Sequence, residues 1–240
     1  MANIRIFTLL YGPHGPLHRR ILESFRAHVP RDIPVNIWLN EVPEETKALV
    51  EELRQQFPRI ELFTRGDNCP KYVAMREMFR GFKDVNEQGV HPYQESWAVW
   101  FDDDSHIVEA DWYPLTMAYL ASKSDAAYVG QPWFVHWKEG QWDWVKGQPW
   151  YTKRPSEVIR GQPGVNFAQG AYWLLKVGLI RLLDWPLNLK HNGGDVMLGE
   201  AVYQMGLPFH KFWHGVKVND AQRRGFAEAP AGCKDKNVRV

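Results

Sequence analysis

Apolar and polar positions follow two rhythms along the first hundred residues, one of short unbroken runs and one of helical spacing. Ile4–Leu10 is an apolar run that predicts a buried parallel strand, and Gly12-Pro13-His14-Gly15-Pro16 ends it. A helix is predicted from Leu17 to about His28, with Ile21, Leu22 and Phe25 on one face. Val35–Leu39 predicts a second strand. After Pro43, Glu44–Phe57 predicts a charged amphipathic helix with acids in its first turn and Arg54 near its end. Arg59–Phe63 predicts a third strand and Pro70–Phe82 a third helix. Trp97–Phe101 predicts a fourth strand, and it runs directly into three aspartates.

This alternation implies right-handed crossovers and an α/β class: one three-layer α/β/α domain whose central sheet is mainly parallel and covered on both faces. Ligands of such sheets bind beyond the carboxyl ends of the strands, where the aspartates fall. The second half is less regular. It predicts a helix at Trp112–Ser122, strands at Ala126–Val129 and Ala171–Leu175, helices at Gly178–Leu183 and Asp195–Gly206, and a strand at Phe209–Val218. Between them, Gln131 to Gly164 is rich in Trp, Gly, Pro and Lys and reads as a long functional loop or a β-hairpin insertion. The tail from Gln222 is polar and reads as loosely held. With no repeat and no linker, residues 1–240 are expected to form a single domain.

Composition narrows the class. Hydrophobic content of 45% is ordinary for a globular chain of 240 residues, and no polar or acidic tract suggests long disorder. A net charge of +1 makes no global case for nucleic acid. Two cysteines, Cys69 and Cys233, without CxxC spacing exclude a zinc cluster and read as reduced thiols. The N-terminus lacks the build of a signal peptide, and no apolar run approaches the ~18 residues of a membrane span, so a soluble, cytoplasmic protein is expected. The unusual feature is 12 tryptophans, many of them after residue 130.

Chemistry concentrates at Asp102-Asp103-Asp104. Adjacent carboxylates repel, and the end of a buried strand worsens their desolvation. A divalent cation relieves this, because hard cations favour carboxylate oxygens. If extended geometry continues, Asp102 and Asp104 project to one side for a metal and Asp103 to the other for a ribose hydroxyl. The bland alternative is a solvated acidic turn with an N-cap at the aspartates or Ser105.

Pro70-Lys71-Tyr72-Val73-Ala74-Met75-Arg76, followed by the strand ending Phe101-Asp102-Asp103-Asp104-Ser105-His106-Ile107, resembles the GT-A glycosyltransferases. Within them it is most similar to the fringe and β-1,3-galactosyltransferase group, where a lysine-led helix precedes an Asp-Asp-Asp strand. Gly170-Ala171-Tyr172-Trp173-Leu174-Leu175 and then Gly194-Asp195-Val196-Met197-Leu198-Gly199 match that group's Gly-Tyr strand and Glu-Asp-Val-x-x-Gly motif in order. The likeness covers roughly Pro70 to His214. It departs where the motif's glutamate is Gly194, and the chain lacks the transmembrane segment of that group's membrane-anchored members.

The resemblance implies a GT-A, nucleotide-diphospho-sugar transferase fold, with a nucleotide-sugar-binding half at about 1–107 and an acceptor-binding half at about 108–240. It implies Mn2+ or Mg2+ bridging the donor diphosphate, with Asp104 as direct ligand and Asp102 acting through water or ribose. It implies a completing histidine near the C-terminus, read here as His214, with His210 on the same strand face. Asp195 becomes the general base of an inverting transfer; its alternative is a helix N-cap after Asn192-Gly193-Gly194. The donor nucleotide, favoured as uridine diphosphate, is expected against Thr8, Tyr11 and Arg76, with Arg76 alternatively on a solvated helix face. His14 and His18 read as ordinary surface residues.

Trp133, Trp137, Trp142 and Trp144, with Trp150 and Trp173 further on, read as an acceptor surface, since indoles suit sugar faces and unstacked bases alike. Lys138, Lys146, Lys153, Arg154 and Arg160 interleave with them, which fits a nucleic-acid acceptor as in phage DNA-modifying glycosyltransferases. A glycan or small molecule is the other acceptor class, and a Trp-rich hairpin packed on the domain is the structural alternative. Two other functions use the same residues: a metal-dependent nucleotidyltransferase or phosphohydrolase, and a non-catalytic glycan- or single-strand-binding module. The first has no need of Asp195 and no P-loop signature.

Overall fold

The computed structural model describes residues 2–136, 143–183, 185 and 193–218. The opening alternation is present as strands β1 (Ile4–Tyr11), β2 (Val35–Asn40), β3 (Ile60–Thr64) and β4 (Trp97–Asp102), with helices α1 (Gly15–His28), α2 (Glu44–Arg54), α3 (Lys71–Met78) and α4 (Arg80–Lys83) between them. After β4 come β5 (His106–Ile107), α5 (Trp112–Ser122), β6 (Tyr128–His136) and a 3-10 turn at Asp143–Gly147. The chain continues through β7 (Glu157–Ile159), β8 (Gln162–Lys176), α6 (Val177–Leu182), α7 (Gly194–Gln204), β9 (Phe209–Lys211) and β10 (Val216–Lys217).

The main sheet has the order β3-β2-β1-β4-β8-β6-β9, with β7 added on β8. β1 pairs parallel with β2 and β4, and β2 with β3. β8 is antiparallel to both β4 and β6, whereas β9 is parallel to β6. The result is a mainly parallel sheet with β8 reversed inside it. β5 and β10 form a separate antiparallel pair.

Period-two alternation sorts each strand onto two cores. Phe7, Leu9, Ala98, Trp100, Trp173 and Leu175 face one layer, where α3, α4, α6 and α7 pack. Ile6, Leu10, Val99, Phe101, Tyr172 and Leu174 face the other, covered by α1, α2 and α5. The same parity carries past the end of β4: Asp102 follows Trp100 onto the α3 and α7 face, and Asp103 follows Phe101 onto the α1 face.

Two segments differ from the sequence expectation, and a third takes one of its two expected forms. The Trp-rich stretch is the hairpin alternative rather than a loop at its base: Pro132–His136 pairs with Gly164–Ala168 after a register shift between Gly130 and Pro132. Pro70–Phe82 divides into α3 and α4 at Phe79. Phe209–Val218 is interrupted by a turn in which Gly215 takes φ +69. Among the described residues, no helix is long and apolar enough to cross a membrane. Cys69 is buried, which pushes its thiol up to about 11, and Cys233 lies outside the described residues.

Candidate functional site

The carboxyl edge of the sheet gathers the acids. β4 ends at Asp102, and Ser105 N donating to Asp102 O at 3.0 Å folds the next residues into a turn, so the extended geometry expected through Asp104 stops. Both Asp102 oxygens are engaged: Lys71 Nζ donates to Oδ2 at 2.6 Å and Trp100 Nε1 to Oδ1 at 2.7 Å. Burial pushes the Asp102 carboxyl up from the usual carboxylate range and outweighs the charge and hydrogen bond of Lys71. Burial also acts to lower the Lys71 ammonium, but the charges of Asp102 and Asp195 reverse this, and the net shift is upward.

The next residue of α3 holds the other acid. Tyr72 Oη donates to Asp195 Oδ1 at 2.7 Å, and burial together with the Asp195 charge holds this phenol well above its usual value. Asp195 lies in the first turn of α7, one residue inside its start, and the N-cap is Gly193 with no side-chain cap. The carboxylate is therefore not a cap. Lys71 Nζ also donates to Gly170 O at 3.1 Å, which ties β8 to the same point. Lys71 and Tyr72 thus join the aspartate of β4 to the aspartate of α7, 93 residues further along the chain.

Gly194 has its own reason here. A Cβ at that position would fall 2.1 Å from the Tyr72 ring, so the glutamate of the resembled motif would displace the tyrosine.

Several expected site residues serve other ends. Asp103 is 1% exposed; its Oδ2 accepts Tyr11 N at 3.1 Å and lies 3.4 Å from His18 Nε2, so it closes the end of β1 and offers no surface to a ribose. Thr8 is fully buried within β1, three residues short of the strand's end, and cannot reach a nucleotide. His18, expected at the surface, is fully buried, with Nδ1 2.9 Å from Thr46 Oγ1. Helical spacing contained that signal, since His18 shares the face of Ile21, Leu22 and Phe25. Arg76 Nη1 donates to Trp185 O at 3.3 Å and so anchors the chain after α6. His214 Nε2 lies 2.8 Å from Asp111 Oδ1. His210 is likewise turned to Tyr119 and Asp125.

The aromatic residues divide by burial. Trp173 is fully buried and stacks on Trp100, centroids 5.8 Å apart and planes at 13°, so it is core and not an acceptor surface. Trp150 is also buried. Trp133 is 58% exposed on β6, and Tyr11 is half-buried at the end of β1. Trp137 and Trp142 lie outside the described residues, as does the side chain of Trp144.

Donor chemistry tests whether a divalent cation suits the edge. Among the described residues, Asp102, Asp104 and Asp195 set three carboxylates within electrostatic reach of the Lys71 ammonium. Among the described residues, no three His, Cys, Asp or Glu side chains form a cation cage. Excess negative charge without a closed cage fits Mn2+ or Mg2+ held by one carboxylate and a bound diphosphate. Half-buried Asp104 fits that role.

No protein-family profile matches the chain, and no curated protein matches it either. Solved structures do. The mannosyltransferase PcManGT from Pyrobaculum calidifontis, in complex with GDP-Man and Mn2+, superposes with a TM-score of 0.61 at 15% identity, over 94% of this chain and 59% of that one. GalNAc-T7 with UDP, GalNAc and Mn2+ gives 0.57 at 11% identity, over 89% and 44%. S. aureus TarS 1–349 gives 0.54 at 10% identity, over 88% and 58%. The chain spans less than two thirds of each of these structures. At such identities the likeness shows the fold, and the fold is GT-A.

Proposed function

We propose that this chain transfers a sugar from a nucleotide-diphosphate donor, favoured as a uridine diphosphate sugar, to an acceptor hydroxyl with inversion at the anomeric carbon. One observation carries the reading. The first two residues of α3 bring Asp102 and Asp195 together at the carboxyl edge of a GT-A sheet. A donor-holding acid and a proton-accepting acid are what a single displacement at an anomeric carbon needs on its two sides.

In this reading Asp104 holds Mn2+ or Mg2+, which when bound supplies positive charge to the leaving diphosphate. Asp102 is held in one orientation by Lys71 and Trp100, and it orients the donor. Tyr11, at the end of β1, gives the nucleotide base a ring to lie against. Asp195 takes the proton of the acceptor hydroxyl as the anomeric carbon is attacked from the far side. Such a base contributes typically about 10²–10⁴-fold. Residues 1–107 then serve the donor and 108–240 the acceptor, with Trp133 on the acceptor side.

Nucleotide binding tests the donor half without knowledge of the acceptor. Calorimetric titration of UDP in the presence of Mn2+ should show saturable binding that a chelator abolishes and Asp104→Asn strongly weakens. Equal UDP affinity with and without Mn2+, or in the variant, would remove the metal-bridged donor from the account. Acceptor affinity that falls steeply with salt marks a DNA acceptor, and a flat response marks a neutral one.

A further inference from the structure

The base reading requires Asp195 to present one oxygen in one direction, yet an aspartate in the first turn of a helix has freedom at two torsions. Two contacts on Asp195, each backed by another behind it, remove it. Tyr72 is 2% exposed, and its hydroxyl occupies Oδ1 at 2.7 Å. Because burial and the Asp195 charge hold the phenol protonated, that hydroxyl is a standing donor. On the other side lies Gly170, where a Cβ would come within 2.2 Å of Oδ2 and 2.5 Å of Cγ. Only a glycine leaves the carboxylate its place. Gly170 is itself held by Lys71 through its carbonyl, and Tyr72 rests against Gly194 without room for a Cβ.

We infer that Tyr72 and Gly170 are positioning residues for the transfer, a two-sided clamp that commits Asp195 Oδ1 to Tyr72 and leaves Oδ2 to take the acceptor proton. The inference rests on Asp195 being the base. Its physical content is that orientation, and not only the presence of a carboxylate, supports the rate; a misplacement near 1 Å can cost about 10²-fold.

Two changes separate orientation from structure. Tyr72→Phe removes one hydroxyl and keeps the ring against Gly194. Gly170→Ala removes no hydrogen-bonding group and pushes the carboxylate, the movable end of a side chain, out of its position. Each variant, Asp195→Asn and the two double variants are compared in three measurements. These are nucleoside diphosphate release with the nucleotide sugar and acceptor that the wild type turns over, UDP affinity with Mn2+ by calorimetry, and thermal midpoint. Both single variants should lose roughly 10–100-fold in kcat, with UDP affinity and midpoint unchanged. Neither should lose further in the Asp195→Asn background, because there is no base left to orient.

Wild-type kcat in Tyr72→Phe and Gly170→Ala beside a slow Asp195→Asn would overturn the clamp and leave the base reading standing. A wild-type rate in Asp195→Asn itself, or no turnover by the wild type, would remove the base and the clamp with it. Losses that follow UDP affinity or midpoint, or that add fully to Asp195→Asn, would make these residues structural and refute the inference.

Discussion

Lys71 donates to Asp102 Oδ2 at 2.6 Å, and this pair joins the first turn of α3 to the last residue of β4. The two side chains are 14% and 25% exposed, so solvent screens the pair only in part. Burial works against both charges while each favours the other. The pair is therefore a constraint on where Asp102 points more than a source of stability.

Removing one partner should cost more than removing both. Lys71→Met leaves a mostly buried carboxylate without its cation and should destabilise by up to roughly 3–5 kcal/mol, less where water reaches Asp102. Lys71→Met with Asp102→Asn should recover much of that loss. Urea denaturation of the two variants checks this, and a double variant no more stable than Lys71→Met would contradict it.

Trp173 and Trp133 should behave as opposites. Trp173→Ala empties a site stacked on Trp100 and should cost roughly 3–5 kcal/mol. Trp133→Ala removes a mostly exposed side chain and should stay within about 0.5 kcal/mol, while raising the acceptor KM if Trp133 meets the acceptor. Thermal melts and acceptor titrations separate the two effects.

Glu200 on α7 is 2% exposed, and burial pushes its carboxyl up, with the hydrogen bond from Gln204 only partly offsetting it. A carboxyl raised in the folded state favours folding while it is protonated. Its contribution is full below the unfolded value of about 4.3 and is lost as pH rises through the folded value. Glu200→Gln should therefore melt above the wild type at pH 7, and the gap should narrow as pH falls toward 4. Calorimetry over that range decides it, and a gap independent of pH would show that ionisation is not the cause.

Most of the sheet was legible because apolar runs and helical faces are local signals. The parallel strands, the two-faced core and the acids at the end of β4 all follow from residues close together in sequence. The reversed strand β8 was only partly legible, since Ala171–Leu175 alone reads as strand while Gln162–Gly164 falls in the Gly- and Pro-rich stretch that reads as loop or hairpin. The role of Asp103 was not legible because its partners Tyr11 and His18 lie 92 and 85 residues before it (103 − 11 and 103 − 18) and meet it only once β1 and β4 pair. Lys71 and Tyr72 stood inside the resembled motif, but their roles depend on which acids fold against them. His214, read from sequence as completing the site, has its Nε2 2.8 Å from Asp111 Oδ1 in the fold, a partner 103 residues away that no local pattern announces.

In the proposed reaction a nucleotide sugar is held at the Asp104 side while Asp195 takes the acceptor proton. The most direct test is nucleoside diphosphate release from UDP-glucose, UDP-galactose, UDP-N-acetylglucosamine and GDP-mannose with Mn2+ and a set of mono- and oligosaccharide acceptors, for the wild type and Asp195→Asn. Acceptor-dependent release from one donor, lowered by about 10²–10⁴-fold in Asp195→Asn with UDP affinity unchanged, is the predicted result. Release from none of these donors by the wild type, or equal release by Asp195→Asn, would contradict it.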